Sequence, residues 1–232
     1  MKRIVVSMVA AATLLLCNSF LSPDLPKEDV RQLEAFYGIG ISVHADVFYT
    51  PGNTHEIRIE GDDRDVEDLI TKVKDGFLQV KYNDWRTRRS KLTIYITSKE
   101  LEAVKISGSA RFESGKPITA DEMELAMSGS GTIIFDKLES DEVDVKISGS
   151  GDVLLDSGSA DELDLKISGS GKLKAETFEV NEFSAAISGS GGARITAKED
   201  IDVRISGSGS VYYHGNPRVN STSSGSGKVR AL

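Results

Sequence analysis

Asp144-Val145-Lys146-Ile147-Ser148-Gly149-Ser150-Gly151-Asp152-Val153 alternates apolar and polar residues, breaks at a glycine-rich turn, and resumes the alternation beyond it. Period-two alternation is the mark of a half-buried strand, and glycine supplies the positive φ that a sharp reversal demands. The unit recurs. Ser-Gly-Ser begins at Ser107, Ser128, Ser148, Ser168, Ser188, Ser206 and Ser224, in steps of 21, 20, 20, 20, 18 and 18 residues. Among these seven copies the one at Ser107 lacks the second glycine, carrying Ala110 instead.

Alignment on the first serine sorts the chain into columns. One residue before it stand Ile106, Met127, Ile147, Ile167, Ile187 and Ile205; three before stand Val104, Leu125, Val145, Leu165, Ala185 and Val203. Five after stand Phe112, Ile133, Val153, Leu173, Ala193, Val211 and Val229. Between them lie Lys105, Lys146, Lys166 and Arg204, and the acids Glu124, Asp144, Asp164 and Asp202. One unit cannot bury its own apolar side, whereas stacked units pair every strand with its equivalents above and below and enclose the apolar columns. The expected fold is therefore all-β, a right-handed parallel β-helix flattened into a solenoid of about 20 residues per rung, the hand following the usual sense of parallel crossovers. The turn serines are expected to bond neighbouring backbone groups. Ser221 and Ser223 place polar side chains in otherwise apolar columns, which predicts a capping last coil.

Residues 36–105 lack the turn but alternate in Ile39-Gly40-Ile41-Ser42-Val43, Glu56-Ile57-Arg58-Ile59, Leu78-Gln79-Val80 and Leu92-Thr93-Ile94-Tyr95-Ile96, giving less regular opening rungs to a single solenoid domain over 36–232 whose repeats occupy 106–232. Val66, Leu69, Ile70 and Val73 have helical spacing, with Asp62 or Asp63 as N-cap and Gly76 beyond the end, so one short helix is expected over the first edge of the solenoid. Ahead of the domain, residues 1–19 read as a signal peptide, with Lys2 and Arg3 before an apolar run from Ile4 to Leu16, and 20–35 as a linker. Cleavage is expected after Ser19. Cys17 offers the alternative of a lipid anchor, disfavoured by the bulky leucines before it. Export places the protein in the periplasm, outer membrane or cell surface, and no later segment is expected to cross a membrane.

The net charge of −8, from 28 Lys and Arg against 36 Asp and Glu, speaks against a nucleic-acid partner. Ser-Gly-Ser-Gly matches neither a nucleophile elbow nor a P-loop, and His44, His55 and His214 neither recur with the repeat nor show metal-ligand spacing. No catalytic, cofactor or metal site is expected. The stacked acids Glu124, Asp144 and Asp164 read as a solvated face helped by Lys146 and Lys166 rather than as a calcium site, since the glycine-aspartate repeats of calcium solenoids are missing. One segment stands apart: Tyr82-Asn83-Asp84-Trp85-Arg86-Thr87-Arg88-Arg89-Ser90-Lys91 holds the only tryptophan and four cations in an acidic protein. Aromatic rings stack on sugars and guanidinium forks grip carboxylate or sulfate, which makes Tyr82, Trp85, Arg86, Arg88 and Arg89 the candidate ligand-binding residues, a polar inter-strand loop being the plainer reading.

The export signal, the passage from His55-Glu56-Ile57-Arg58-Ile59-Glu60-Gly61 through Val73-Lys74-Asp75-Gly76, and the Ile-Ser-Gly-Ser-Gly repeats from Ile106 onward together resemble the bacterial "putative auto-transporter adhesin, head GIN domain" family of Bacteroidetes-type envelope proteins. That resemblance implies a pectin-lyase-like superhelix without that superfamily's catalytic residues, and a role in adhesion. The expected function is accordingly an exported, non-enzymatic adhesin or binding module of the cell envelope. Its expected partner is a glycan or a host or extracellular surface component, with a homo-oligomer left open. The alternatives are a structural envelope component and a polysaccharide-active β-helix enzyme.

Overall fold

A computed structural model describes residues 27–83 and 89–232. The signal segment with Cys17, the start of the expected linker, and Trp85, Arg86 and Arg88 lie outside the described residues. Strands make up 73% of the described residues and helix 2%, wound into about six stacked turns of a β-solenoid, so the all-β expectation holds. The repeat region runs through β8 (Ala103–Gly108), β9 (Arg111–Ser114), β10 (Ile118–Gly129), β11 (Thr132–Phe135), β12 (Leu138–Gly149), β13 (Asp152–Leu155), β14 (Gly158–Gly169), β15 (Lys172–Gly189), β16 (Gly192–Gly207), β17 (Ser210–His214), β18 (Arg218–Gly225) and β19 (Lys228–Ala231). It follows seven opening strands, β1 (Lys27–Gln32), β2 (Gly38–Ile41), β3 (Ala45–Pro51), β4 (Glu56–Gly61), β5 (Leu69–Lys74), β6 (Phe77–Tyr82) and β7 (Leu92–Ser98), and the helix α1 (Asp63–Glu67).

Pairing between repeat coils is parallel and keeps each sequence column in line, as in Met127↔Ile147↔Ile167 and Leu125↔Val145↔Leu165. Those columns are buried from β8 through β16, and Tyr49, Phe112 and Phe135 continue the core as a run of rings with centroids 6.1 and 5.7 Å apart. Hydrogen bonding does not stop at the glycine corner. The Gly129 carbonyl accepts from Ser150 N at 2.8 Å and Gly151 N at 3.1 Å, and Gly149 repeats this with Ser170 and Gly171. Gly129, Gly149, Gly169 and Gly189 hold φ of 125°, 123°, 126° and 121°, and a Cβ on Gly149 would lie 2.4 Å from the Gly129 oxygen. Glycine is thus required twice, by its φ and by the closeness of the coil beneath. Hydroxyl-to-carbonyl bonds also lie at the opposite corner: Ser114 donates to Lys116 O at 3.0 Å, Ser157 to Asp136 O at 2.6 Å, and Thr196 to Glu176 O at 2.6 Å.

At the N-terminal end, two expectations are corrected. Only Asp63–Glu67 is helical, capped by Asp62, whose carboxylate accepts from Arg64 N at 3.1 Å. Leu69–Lys74 is β5, antiparallel to β6 through Asp75 and Gly76, which carry φ of 51° and 76°. Asp-Gly between two alternating runs favours a hairpin, and Ile70, Thr71 and Val73 are β-branched, so strand propensity prevails over a helical spacing that was coincidental. The second correction concerns Lys27–Gln32, inside the expected linker, which forms β1 antiparallel to β4.

Chain order and stacking order also differ. On one side β2 lies between β6 and β8, and on the other β3 lies between β7 and β9, all parallel. The coil of β6 and β7 therefore inserts outside the earlier coil of β2 and β3, and antiparallel β5 and β4 close over it. Arg31 of β1 ties the closure together, its guanidinium donating to Leu69 O at 2.7 Å and Val66 O at 3.0 Å. At the far end every residue of β18 is exposed, with Ser221 and Ser223 in register with Val203 and Ile205.

The corner geometry yields a graded prediction. Gly108→Ala forces an L-residue into a glycine conformation but meets nothing within 4 Å, so it should cost about 1–3 kcal/mol in chemical denaturation. Gly149→Ala adds the collision with Gly129 and should lower the denaturation midpoint clearly further. Equal losses would show that φ alone matters.

Candidate functional site

Tyr82 closes β6 and Arg89 returns the chain toward β7, so these two residues form the described base of the Trp85 segment. The Arg89 guanidinium lies 3.9 Å from the Tyr82 ring centroid and reaches Asp65 at 3.1 Å and Asp68 at 2.9 Å. Asp65 also accepts from Ser90 N at 2.7 Å. The Arg89 and Asp65 side chains are only 10% and 8% exposed, so this is a packed anchor rather than an open fork. Burial opposes the guanidinium charge, but the hydrogen bonds it donates to the Asp65 and Asp68 carboxylates outweigh this and raise the Arg89 pKa. Burial, with the Asp65 charge behind it, pushes the Tyr82 hydroxyl up to about 12. Of the five expected ligand contacts, the structure brings Tyr82 and Arg89 together and commits both to holding α1 against the loop base.

The two long sides of the repeat region differ in outward chemistry. On the side before the glycine corner, Glu124, Asp144 and Asp164 align as expected. Cations interleave: Lys105 meets Glu124 at 2.6 Å, and Lys146 meets Glu124 at 3.5 Å and Asp144 at 3.2 Å. The hydrogen bond from Lys105 holds the Glu124 carboxyl below its ordinary range despite partial burial. A neighbouring acid column, Glu122, Glu142, Glu162, Glu182 and Asp200, escaped the sequence reading although it lies two residues upstream of the first. Desolvation, then the charges of Glu122, Asp144, Glu162 and Asp164, raise the Glu142 pKa.

Beyond the corner, one outward column crosses the whole stack. Pairing aligns Arg58, Tyr95, Phe48 and Glu113 at the N-terminal end. It continues through Ile134, Leu154, Lys174, Arg194 and Tyr212. The Arg58 guanidinium sits 3.8 Å from the Tyr95 ring centroid, and Phe48, 37% exposed, stacks on Tyr95 at 5.5 Å. Among the described residues no group of three or more His, Cys, Asp or Glu is placed to hold a metal ion, and no helix is long and apolar enough to cross a membrane. His55 packs edge-on against Phe36 at 5.4 Å.

The "putative auto-transporter adhesin, head GIN domain" family matches residues 35–217, spanning both the antiparallel closure and the repeat coils. The chain belongs to this family. A solved "putative adhesin" from Bacteroides fragilis is similar to this head GIN chain at 25% identity and a TM-score of 0.85, covering 90% of this chain and 98% of its own. A "putative lipid binding protein" from Parabacteroides distasonis shares the fold at 22% identity and a TM-score of 0.74, covering 90% and 98%. A "putative adhesin" from Parabacteroides merdae does so at 23% and 0.72, covering 90% and 97%. No curated protein matches the chain.

Two predictions follow from the charge geometry of this head GIN protein. Arg89→Ala leaves Asp65 buried beside Asp68 and should cost about 3–5 kcal/mol, read from denaturation curves. For Glu142, a folded-state pKa above the unfolded value means that the folded state binds the proton more readily, so this group opposes folding at neutral pH and the opposition fades as pH falls through the raised value. Glu142→Gln should therefore raise the melting temperature at pH 7, and the gain should vanish below the unfolded carboxyl range near pH 4. A pH-independent gain would rule out electrostatic origin.

Proposed function

We propose that this protein is exported to the cell envelope and works there as a non-catalytic binding module that contributes to adhesion. The observation that carries the reading is the outward column beyond the corner, in which Tyr95 and Phe48 hold apolar surface outward on adjacent strands of a fixed sheet, with half-buried Leu154 further along the same column beyond Glu113 and buried Ile134. A sheet paired on both sides presents such a surface with little ordering cost on contact, which favours binding by a preformed face. Membership of the head GIN family supports the adhesive reading. The Trp85 segment is a second contact region in this proposal: Trp85, Arg86 and Arg88 would meet acidic glycan, above a base fixed by Arg89 and Asp65.

The experiment is retention under flow. Beads coated with the full chain should stay on a mucin-coated surface longer than uncoated beads. A Phe48→Ala, Tyr95→Ala double variant, altered only on the outer face, should be released sooner while keeping its melting temperature. Equal release of bare and coated beads would overturn adhesion. Appearance of new reducing ends in soluble polysaccharide incubated with the chain would overturn the non-catalytic part.

A further inference from the structure

Outward residues four positions after the first turn serine run Arg111, Thr132, Asp152, Lys172, Gly192, Ser210 and Lys228, so one coil in the repeat stack has no side chain at this position. A groove of about 580 Å³ lies over that gap, within the size range of small-molecule sites. Gly192 forms its floor. Lys172 and Ser210 stand on the flanking coils, Tyr212 supplies an aromatic wall, and Asp156 and Glu176 line the far corner. Gly192 is also required locally, because a Cβ there would lie 2.4 Å from Ser210 O.

The charges in this groove are largely matched. Arg194 pairs with Glu176, and its guanidinium lies 5.7 Å from the Tyr212 ring centroid. Lys174 pairs with Asp152 at 2.6 Å. An anionic ligand would have to break these pairs or depend on Lys172 alone, with Asp156 lining the same groove. Uncharged hydroxyls would not, because each pair shows donors and acceptors side by side, and the exposed face of a tyrosine packs against the C–H face of a sugar ring. Resting on the binding-module reading above, the geometry points to a neutral saccharide site at the Gly192 notch, with Tyr212 as the stacking platform and Arg194–Glu176 as the hydroxyl-recognising pair. This site lies on described coils, apart in sequence from the Trp85 segment.

Saturation-transfer difference NMR on the full chain tests it, using cellohexaose, xylohexaose, laminarihexaose and maltohexaose as neutral probes and hexagalacturonate as the acidic control. At least one neutral probe should receive saturation that Tyr212→Ala removes, whereas any transfer to the acidic control, which the Trp85 segment would meet, should be unaffected by that substitution. Tyr212→Ala removes the platform and Ser210→Arg fills the notch from a half-buried strand position; each should abolish neutral-probe transfer with an unchanged melting temperature, while Lys116→Ala, at an exposed bend away from the groove, leaves it intact. No transfer to any neutral probe, or undiminished transfer in Tyr212→Ala, overturns the site. Transfer lost only in Trp85→Ala would also overturn it, yet would leave the binding-module reading standing.

Discussion

Continuity of backbone hydrogen bonding around the Ser-Gly-Ser-Gly corner is the constraint on which the other features rest. At each corner a Gly carbonyl accepts a serine N–H from the coil above, joined at Gly129, Gly149 and Gly169 by a glycine N–H, and that contact leaves no room for a Cβ on the upper glycine. Because the same glycine recurs in each coil, a one-residue slip would place serine in a conformation and a space that only glycine fits, and would also turn the Ile147 and Val145 columns outward. The corner thus fixes register, and register fixes both the core and the outer faces.

A stack of this kind has two ends with unpaired backbone, and the chain treats them differently. At the N-terminal end the strand direction reverses: β4 and β5 run antiparallel to the coil they cover, β1 adds a further antiparallel strand, and Arg31 bonds across to Leu69 and Val66 carbonyls. Arg89, Asp65 and Asp68 pin the adjacent loop base to α1. At the other end the last coil carries serines where earlier coils carry Val and Ile. Polar side chains there reduce the apolar reward for recruiting another strand.

Electrostatics divide the long sides. Acids stacked at coil spacing repel one another, and Lys105 and Lys146 reach between coils to offset the Glu124 column, while Glu142 lies within an acid column and bears the repulsion. Beyond the corner, cation and carboxylate are matched in pairs and aromatic residues stand at both ends of one outward column. Such a side suits contact with uncharged, hydroxyl-rich or mixed surfaces better than with a polyanion, which is why both functional readings fall on it.

The repeated SGSG spacing and its apolar columns were enough to establish a parallel solenoid and most of its core, because in a stacked array each residue's environment is set by its own column. That logic fails where neighbours in space are not neighbours in the repeat. The Asp75-Gly76 hairpin and the strand at Lys27–Gln32 belong to an end closure whose partners are distant in sequence. The arginines near Trp85 read alike in sequence, but pairing with Asp65 and Asp68 of the α1 region gives Arg89 a buried anchoring role. The sequence by itself determined the coil, its period and its inward face; only the tertiary structure decided the insertion of β6 and β7 outside β2 and β3, the antiparallel cap, and the Gly192 notch, because each depends on which coil comes to lie against which.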